Sequence, residues 1–495
     1  MFRVFSGSCL SLEDMDTIYR PNLVERPHVL GPGMDFFTED GEPLRPQPGI
    51  ETLQKVFSGS ALDLNAMNSD AFSDSEQQET NSPLAAQRTL PVSTILNHLA
   101  SETEKERTRL AKSKIVVLVI GDYTYISSHV VAKLLDMGFT VRVTLSDTTK
   151  PQLMDTFYTS EATNRISITQ LDMTSSSALR DVIRGCRYII HCGCPSSVSK
   201  KKGPVTYHVE AVRALFDGIR LAGKSTVKRV VLTGAATSVF NVNDPEPPSG
   251  MFDESNWNNA AANETVALAK LAFENEAWRI RTMLGMVELV VLLPSVTIGP
   301  SCTEETSEAM LMIQNLATAP RYFPFCPDVS YNFVDVRDVA EALVRALEST
   351  EVNQQRVIIS NQCLSLLEMA RIIKKLYPHL TPPTRIANTF MTLLVGTTQS
   401  SDGLSKNVKS WWRSLGVKRR LDNRRAVDEL GLHFTPIEET ISACVDQMIR
   451  GGEVPNKDAS AATPSPLATA LRVSSVVALA AITATVALRV LGRKR

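Results

Sequence analysis

The chain has 495 residues, enough for two or three domains and a large buried core. Its 52 Lys and Arg nearly balance 53 Asp and Glu, so no charge bias points to nucleic acid and no nucleic-acid partner is expected. The eight cysteines are scattered without paired spacing suited to zinc, which predicts no metal site and fits free thiols in a reducing compartment.

The opening stretch, "MFRVFSGSCLSLEDMD", turns acidic at once and lacks the apolar core of a secretory signal. Residues 1–90 are rich in Ser, Pro, Asp, Glu and Gly, and such a segment buries too little apolar surface to offset chain entropy, so disorder is predicted. Within it "VFSGSCLSL" at 4–12 recurs as "VFSGSALDL" at 56–64 with seven identities in nine positions. The repeat is either a duplicated low-complexity scrap or a pair of docking motifs for a protein partner, with Phe and Leu as anchors and serines open to phosphorylation. Residues 91–112 follow as a solvated helical lead-in opened by a capping serine, Ser93.

From about residue 113, β-branched runs alternate with longer helical stretches: "KIVVLVIG", "TVRVTL", "ISITQLD", "YIIHCG", "KRVVLTGA" and "VELVVLLPS". Continuous apolar strands read as buried on both faces, which predicts an α/β protein built on a doubly wound parallel sheet. Residues 113–300 are assigned to this Rossmann domain and 301–452 to a smaller C-terminal subdomain of the substrate-binding type. The "CGC" at 192–194 reads as buried small residues.

A linker at 453–470 leads to "VSSVVALAAITATVAL", 16 uncharged residues from Val473 to Leu488, with Arg472 and Arg489 at its ends. Snorkelling arginines extend it toward the roughly 20 residues a bilayer needs, so residues 471–491 are predicted to form a transmembrane tail anchor with the rest of the chain facing the cytosol. A short, moderately apolar tail with a basic end favours a mitochondrial, peroxisomal or plastid outer membrane over the endoplasmic reticulum.

Several segments in order carry a family resemblance: "SSHVVAKLLDMGFTVRVTL", "LRDVIRGCRYIIHCGCP", "VKRVVLTGAATSV", "FDESNW" at 252–257, "LLPSVTIGP" at 292–300, "NFVDVRDVAEALVRALE" at 332–348 and "LDNRRAVDELGLHFTPIEETI" at 421–441. Over 113–452 the chain resembles extended short-chain dehydrogenase/reductases of the dihydroflavonol reductase, cinnamoyl-CoA reductase and 3β-hydroxysteroid dehydrogenase type. The resemblance implies an NAD or NADP cofactor and hydride transfer to a carbonyl. It lays the Gly-x-x-Gly-x-x-Gly phosphate loop on Gly121, Thr124 and Ser127, where two side chains narrow the backbone's approach to the pyrophosphate and imply weak binding. Where NADPH-preferring members carry arginine stands Ser146, and the neighbouring Asp147 is either a ribose ligand or a solvated loop residue. Asp172 matches the acidic residue at the adenine amine. Cys192, Gly193 and Pro294 fall on the small wall and the segment lining the cofactor.

The family's proton donor is a tyrosine four residues before a lysine, on the same face of one helical turn. Here Lys270 stands in "VALAKLAFENEAW", but the tyrosine position is Val266, and the family's serine is Ala235, with Thr237 and Ser238 nearby. No tyrosine or histidine occurs from 209 to 321, so no shift of register supplies one. Two readings follow. The first is a membrane-tethered reductase fold that has lost the chemistry and serves as a binding, scaffold or regulatory module, a pseudoenzyme. The second is a divergent NAD(P)-dependent oxidoreductase acting on a lipophilic steroid-like or phenolic substrate, with Lys270 working through water.

Overall fold

The β-branched runs that open the core each become a strand. In the computed structural model, residues 92–146, 164–193, 203–223, 227–241, 244–258, 265–284, 287–303, 307–319, 324–387 and 414–456 are described. The predicted disordered arm, Asp147, nearly all of the linker and the predicted tail helix lie outside them. Among the described residues no helix is long and apolar enough to cross a membrane.

The chain enters through helix α1 (Val92–Lys112) and then runs β1 (Val116–Ile120), α2 (Tyr125–Asp136), β2 (Thr140–Leu145), β3 (Ile166–Gln170), α3 (Ser176–Ile183), β4 (Tyr188–His191), α4 (Pro204–Leu221), β5 (Arg229–Thr233), α5 (Thr265–Leu284) and β6 (Glu288–Pro294). It continues through β7 (Val296–Ile298), α6 (Glu308–Ala317), β8 (Phe325–Cys326), β9 (Ser330–Asp335), α7 (Val336–Glu348) and β10 (Arg356–Ile359). The last elements are β11 (Gln362–Ser365), α8 (Leu366–Leu376), β12 (Arg385–Ile386), α9 (Arg424–Asp428) and α10 (Ile437–Arg450). Seven strands form one parallel sheet in the order β10-β6-β5-β4-β1-β2-β3. The strand order reverses between β1 and β4, and in such sheets that switch point opens the binding crevice.

Central strands are dry. Val117, Leu118 and Val119 are fully buried, and each such side chain contributes about 1.5–3 kcal/mol. Helices α2 and α7 cover one face of the sheet, whereas α3, α4 and α5 cover the other. Two features depart from the sequence reading. Strand β3 is only partly buried because it is the sheet edge, with Ser167 and Gln170 exposed. The region 301–452 is not a single block either, since α7 packs against the main sheet and β10 pairs with β6 as its other edge. The remainder forms a separate apolar cluster around a three-stranded sheet, β11-β9-β7, with α6, α8 and α10.

The closing segment is stitched back to the middle of the chain by polar bonds. Thr435 donates from its amide and hydroxyl to the Asp338 carboxylate (2.8 and 2.7 Å), and Thr440 Oγ1 donates to Asp335 Oδ2 (2.8 Å). Asn361 Nδ2 donates to the Thr435 carbonyl and Asn423 Nδ2 to that of Ser360, both at 2.7 Å. At the entry, Arg109 lies against Gly138, where a β-carbon would meet Arg109 Cγ at 2.5 Å. Lys112 pairs with Glu348 (2.8 Å) and lies over the Phe139 ring.

Candidate functional site

The crevice is floored by the ends of β1 and β4. Gly121 has φ +156°, and a β-carbon there would stand 2.9 Å from Cys192 Cβ, so the first loop position admits only glycine if the two strand ends are to meet. The next two residues, Asp122 and Tyr123, hold φ of +55° and +53°. Left-handed backbone at non-glycine residues costs on the order of 1–3 kcal/mol each, and the surrounding contacts must offset it.

Thr124 is the N-cap of α2, yet its side chain makes no cap bond. Its hydroxyl turns inward and donates to the Gly121 carbonyl (3.1 Å). Ser127, fully buried, reaches the carbonyls of Gly121 and Thr124 (3.2 Å each). The two hydroxyls that replace glycines therefore tie the loop to itself. The first-turn amides of α2 keep no side-chain cap, which leaves the N-terminus suited to an anion.

Asp122 is bent the other way. Its carboxylate accepts from both the amide and the hydroxyl of Ser146, the residue just past β2, at 2.5 Å each. Asp172 is exposed and engaged in its own turn, accepting from the Thr174 amide (2.9 Å) and hydroxyl (2.8 Å).

On the β4 side, Gly193 (φ +134°) would place a β-carbon 3.5 Å from Lys270 Nζ, so the lysine of α5 lies beside the wall of small residues. Lys270 sits within the field of three buried groups: His191, Cys192 and His208. Both imidazoles also approach Phe273, one turn further along α5, at 5.1 and 6.1 Å between ring centres. Burial, then the positive charge of Lys270, lowers His191 to about 3 and His208 to about 4. Burial raises the Cys192 thiol to about 12. Near neutral pH His191, His208 and Cys192 are thus uncharged. His208 donates its Nδ1 proton to the Pro204 carbonyl (2.7 Å), which leaves Nε2 unprotonated. His191 Nδ1 accepts from the Gly193 amide (3.2 Å).

Val266 lies on α5 one turn before Lys270. Ala235 is half-buried at the cap of the short turn after β5, where Thr237 is exposed and the buried hydroxyl of Ser238 has no hydrogen-bond partner among the described residues. Pro294 ends β6, paired with Ile359. Gly121, Thr124, Ser127, Cys192, Gly193 and Lys270 thus line one crevice. Sequence reasoning missed His191 and His208 as members of this cluster, and it missed Asp122. The histidines were visible as residues, but only the packing of α4 on α5 brings His208 to the lysine.

A separate concavity of about 470 Å³ lies between α2 and α7, where Lys133 and Arg345 both pair with Glu341. Its principal charges are already matched. Among the described residues no cluster of His, Cys, Asp or Glu is arranged to hold a metal ion.

Residues 117–359 match the sequence model of the NAD dependent epimerase/dehydratase family. Over that span the chain is similar to the extended short-chain dehydrogenase/reductases. A cinnamoyl-CoA reductase of Arabidopsis thaliana is 26% identical over 346 residues, covering 69% of this chain and 94% of the relative. A dihydroflavonol 4-reductase of Zea mays is 27% identical over 297 residues, covering 57% and 79%. Among solved structures, yeast methylglyoxal/isovaleraldehyde reductase complexed with NADPH superposes with a TM-score of 0.56 at 21% identity, covering 69% of this chain and all (100%) of that one. Vestitone reductase from alfalfa gives 0.54 at 19%, covering 68% and 99%. At those identities the structural likeness speaks to the fold. The same Rossmann-like α/β fold is accordingly present around the seven-stranded parallel sheet.

The residues present fit a dinucleotide in part. The uncapped N-terminus of α2 suits the pyrophosphate, the Gly121–Cys192 approach keeps the floor low, and Lys270 Nζ lies beside Gly193 at the end of β4. The methyl and hydroxymethyl groups of Thr124 and Ser127 occupy room that glycines would leave.

Proposed function

We propose that this protein holds an NAD(P)-type dinucleotide weakly and has lost its family's carbonyl reduction. It acts as a ligand-sensing or scaffold module, tethered to a membrane by residues 471–491, with the repeated segments at 4–12 and 56–64 recruiting a protein partner. The observation that carries the reading is Val266 one turn before Lys270, beside His191 and His208, both neutral near physiological pH. When bound, the cofactor would supply the hydride, and the chain would have to supply the proton. Valine has none to give. His208 is unprotonated at neutral pH on the atom its carbonyl bond leaves free, and positioned proton transfer is worth roughly 10²–10⁴-fold.

The test is a rescue in the full-length chain. Val266→Tyr with Ala235→Ser, added to Thr124→Gly and Ser127→Gly, should produce NAD(P)H oxidation with an aromatic or steroid carbonyl, over a background-only wild type. The two glycine changes alone should tighten nucleotide binding. Wild-type turnover abolished by Lys270→Ala would refute the reading and establish the alternative, an oxidoreductase using another acid. Binding of either dinucleotide by wild type at low micromolar strength would refute the weak-binding half. Deleting residues 471–495 should release the chain from alkaline-washed membranes, and its retention in the pellet would place the anchor elsewhere.

A further inference from the structure

We propose that Asp122 makes this crevice select NAD(H) against NADP(H). The inference rests on the dinucleotide reading above and deepens it. In a doubly wound sheet the adenosine ribose docks at the C-terminal end of the second strand. An acidic side chain there takes the 2′-hydroxyl, and a basic one takes a 2′-phosphate. Strand β2 ends at Leu145, and Ser146 follows. The group that meets Ser146 comes from the loop after β1, not from β2 itself. Asp122 spans 24 positions of sequence to place both carboxylate oxygens on it, one on the amide and one on the hydroxyl.

The aim of the carboxylate is built in. Two consecutive residues in the left-handed region turn the loop so that Asp122 faces β2, and aspartate is among the few side chains that tolerate such a φ. The bonds to Ser146 neutralise nothing, because both donors are uncharged. Among the described residues Asp122 forms no ion pair. A carboxylate can accept about four hydrogen bonds, and Ser146 uses two, so lone pairs remain for ribose hydroxyls. A 2′-phosphate at the same place would meet a fixed like charge with no described cation beside it.

The probes are NADH and NADPH, titrated into the full-length protein and followed by nicotinamide fluorescence, at low salt and at about 1 M. Like charges several ångströms apart near a surface give a preference for NADH of roughly tenfold, and it should shrink at high salt. Asp122→Asn keeps the shape and can still bond Ser146, so it should tighten NADPH by about tenfold and change NADH by less than about threefold. Equal wild-type affinity for the two, or an unchanged ratio in Asp122→Asn, overturns this proposal and leaves the dinucleotide reading standing. If Asp122→Asn does not fold, a wild-type ratio that ignores salt overturns it equally. No binding of either probe by wild type or by the Thr124→Gly, Ser127→Gly variant overturns the dinucleotide reading itself, and this proposal with it.

Discussion

Replacing Glu274 with alanine should destabilise the fold by about 3–5 kcal/mol, because it strands a buried guanidinium. Arg356 is 7% exposed in its side chain and Glu274 fully buried, with Arg356 Nε 2.6 Å from Glu274 Oε1. The same guanidinium donates to the carbonyls of Glu254 (2.8 Å), Asn256 (2.7 Å) and Ser238 (3.4 Å), and lies 3.6 Å over the Trp257 ring. It therefore fixes the 252–257 segment and the turn after β5 to α5, one turn from Lys270. A second variant separates the two roles. Glu274→Leu with Arg356→Met removes both charges and keeps most of the volume, which by itself is often near neutral. The carbonyls of Glu254 and Asn256 nevertheless lose their donor, at about 1 kcal/mol each, whereas that of Ser238 keeps the Asn258 amide (2.9 Å). The double variant should thus remain about 2 kcal/mol below wild type, but above Glu274→Ala. Urea unfolding followed by tryptophan fluorescence measures all three, provided the slopes match. A double variant as stable as wild type would refute the carbonyl clamp. One as unstable as Glu274→Ala would refute the stranded-charge account.

Gly121→Ala should cost about 2 kcal/mol or more, since it combines a strained φ with a 2.9 Å approach to Cys192 Cβ; a thermal midpoint within error of wild type would contradict the close strand contact. Acid should weaken the fold through His191 and His208. Their folded values of about 3 and about 4 lie below the ordinary 6.5, so the stabilisation is complete above about pH 6.5 and is lost as pH falls toward the folded values. By pH 5 the loss for the two together is roughly 4 kcal/mol, read from urea midpoints, and His208→Gln should remove about half of that slope. Ser365 caps α8 in a reciprocal box with Glu368, and Ser365→Ala should lower stability by about 1 kcal/mol in the same assay.

Six of the seven sheet strands were legible because a doubly covered parallel sheet demands unbroken β-branched runs, and "KIVVLVIG" and "VELVVLLPS" advertise that demand. Strand β10 escaped notice since "RVII" is four residues long and follows a helix that sequence alone assigns to the second subdomain. Gly121 and Lys270 were legible through spacing. Asp122 was not, because an aspartate at a variable loop position reads as solvent-facing until two positive φ values turn it toward β2. The neutral histidines depend on burial and on the field of Lys270, and neither is a property of local sequence.

The bonds that close the molecule also set the order in which it can be finished. Asp335 meets Thr440 across 105 residues, and Asp338 meets Thr435 across 97. At a translation rate of roughly 5–20 residues per second, about 5–20 seconds separate the synthesis of each carboxylate from that of its partner. During that interval two carboxyl groups destined for the interior stay hydrated, and α7 cannot settle fully on the sheet. The parallel sheet adds its own delay, since its pairings are non-local. A nascent chain stalled before residue 435 should consequently be open to chaperones and proteases over α7, and become resistant once α10 has emerged.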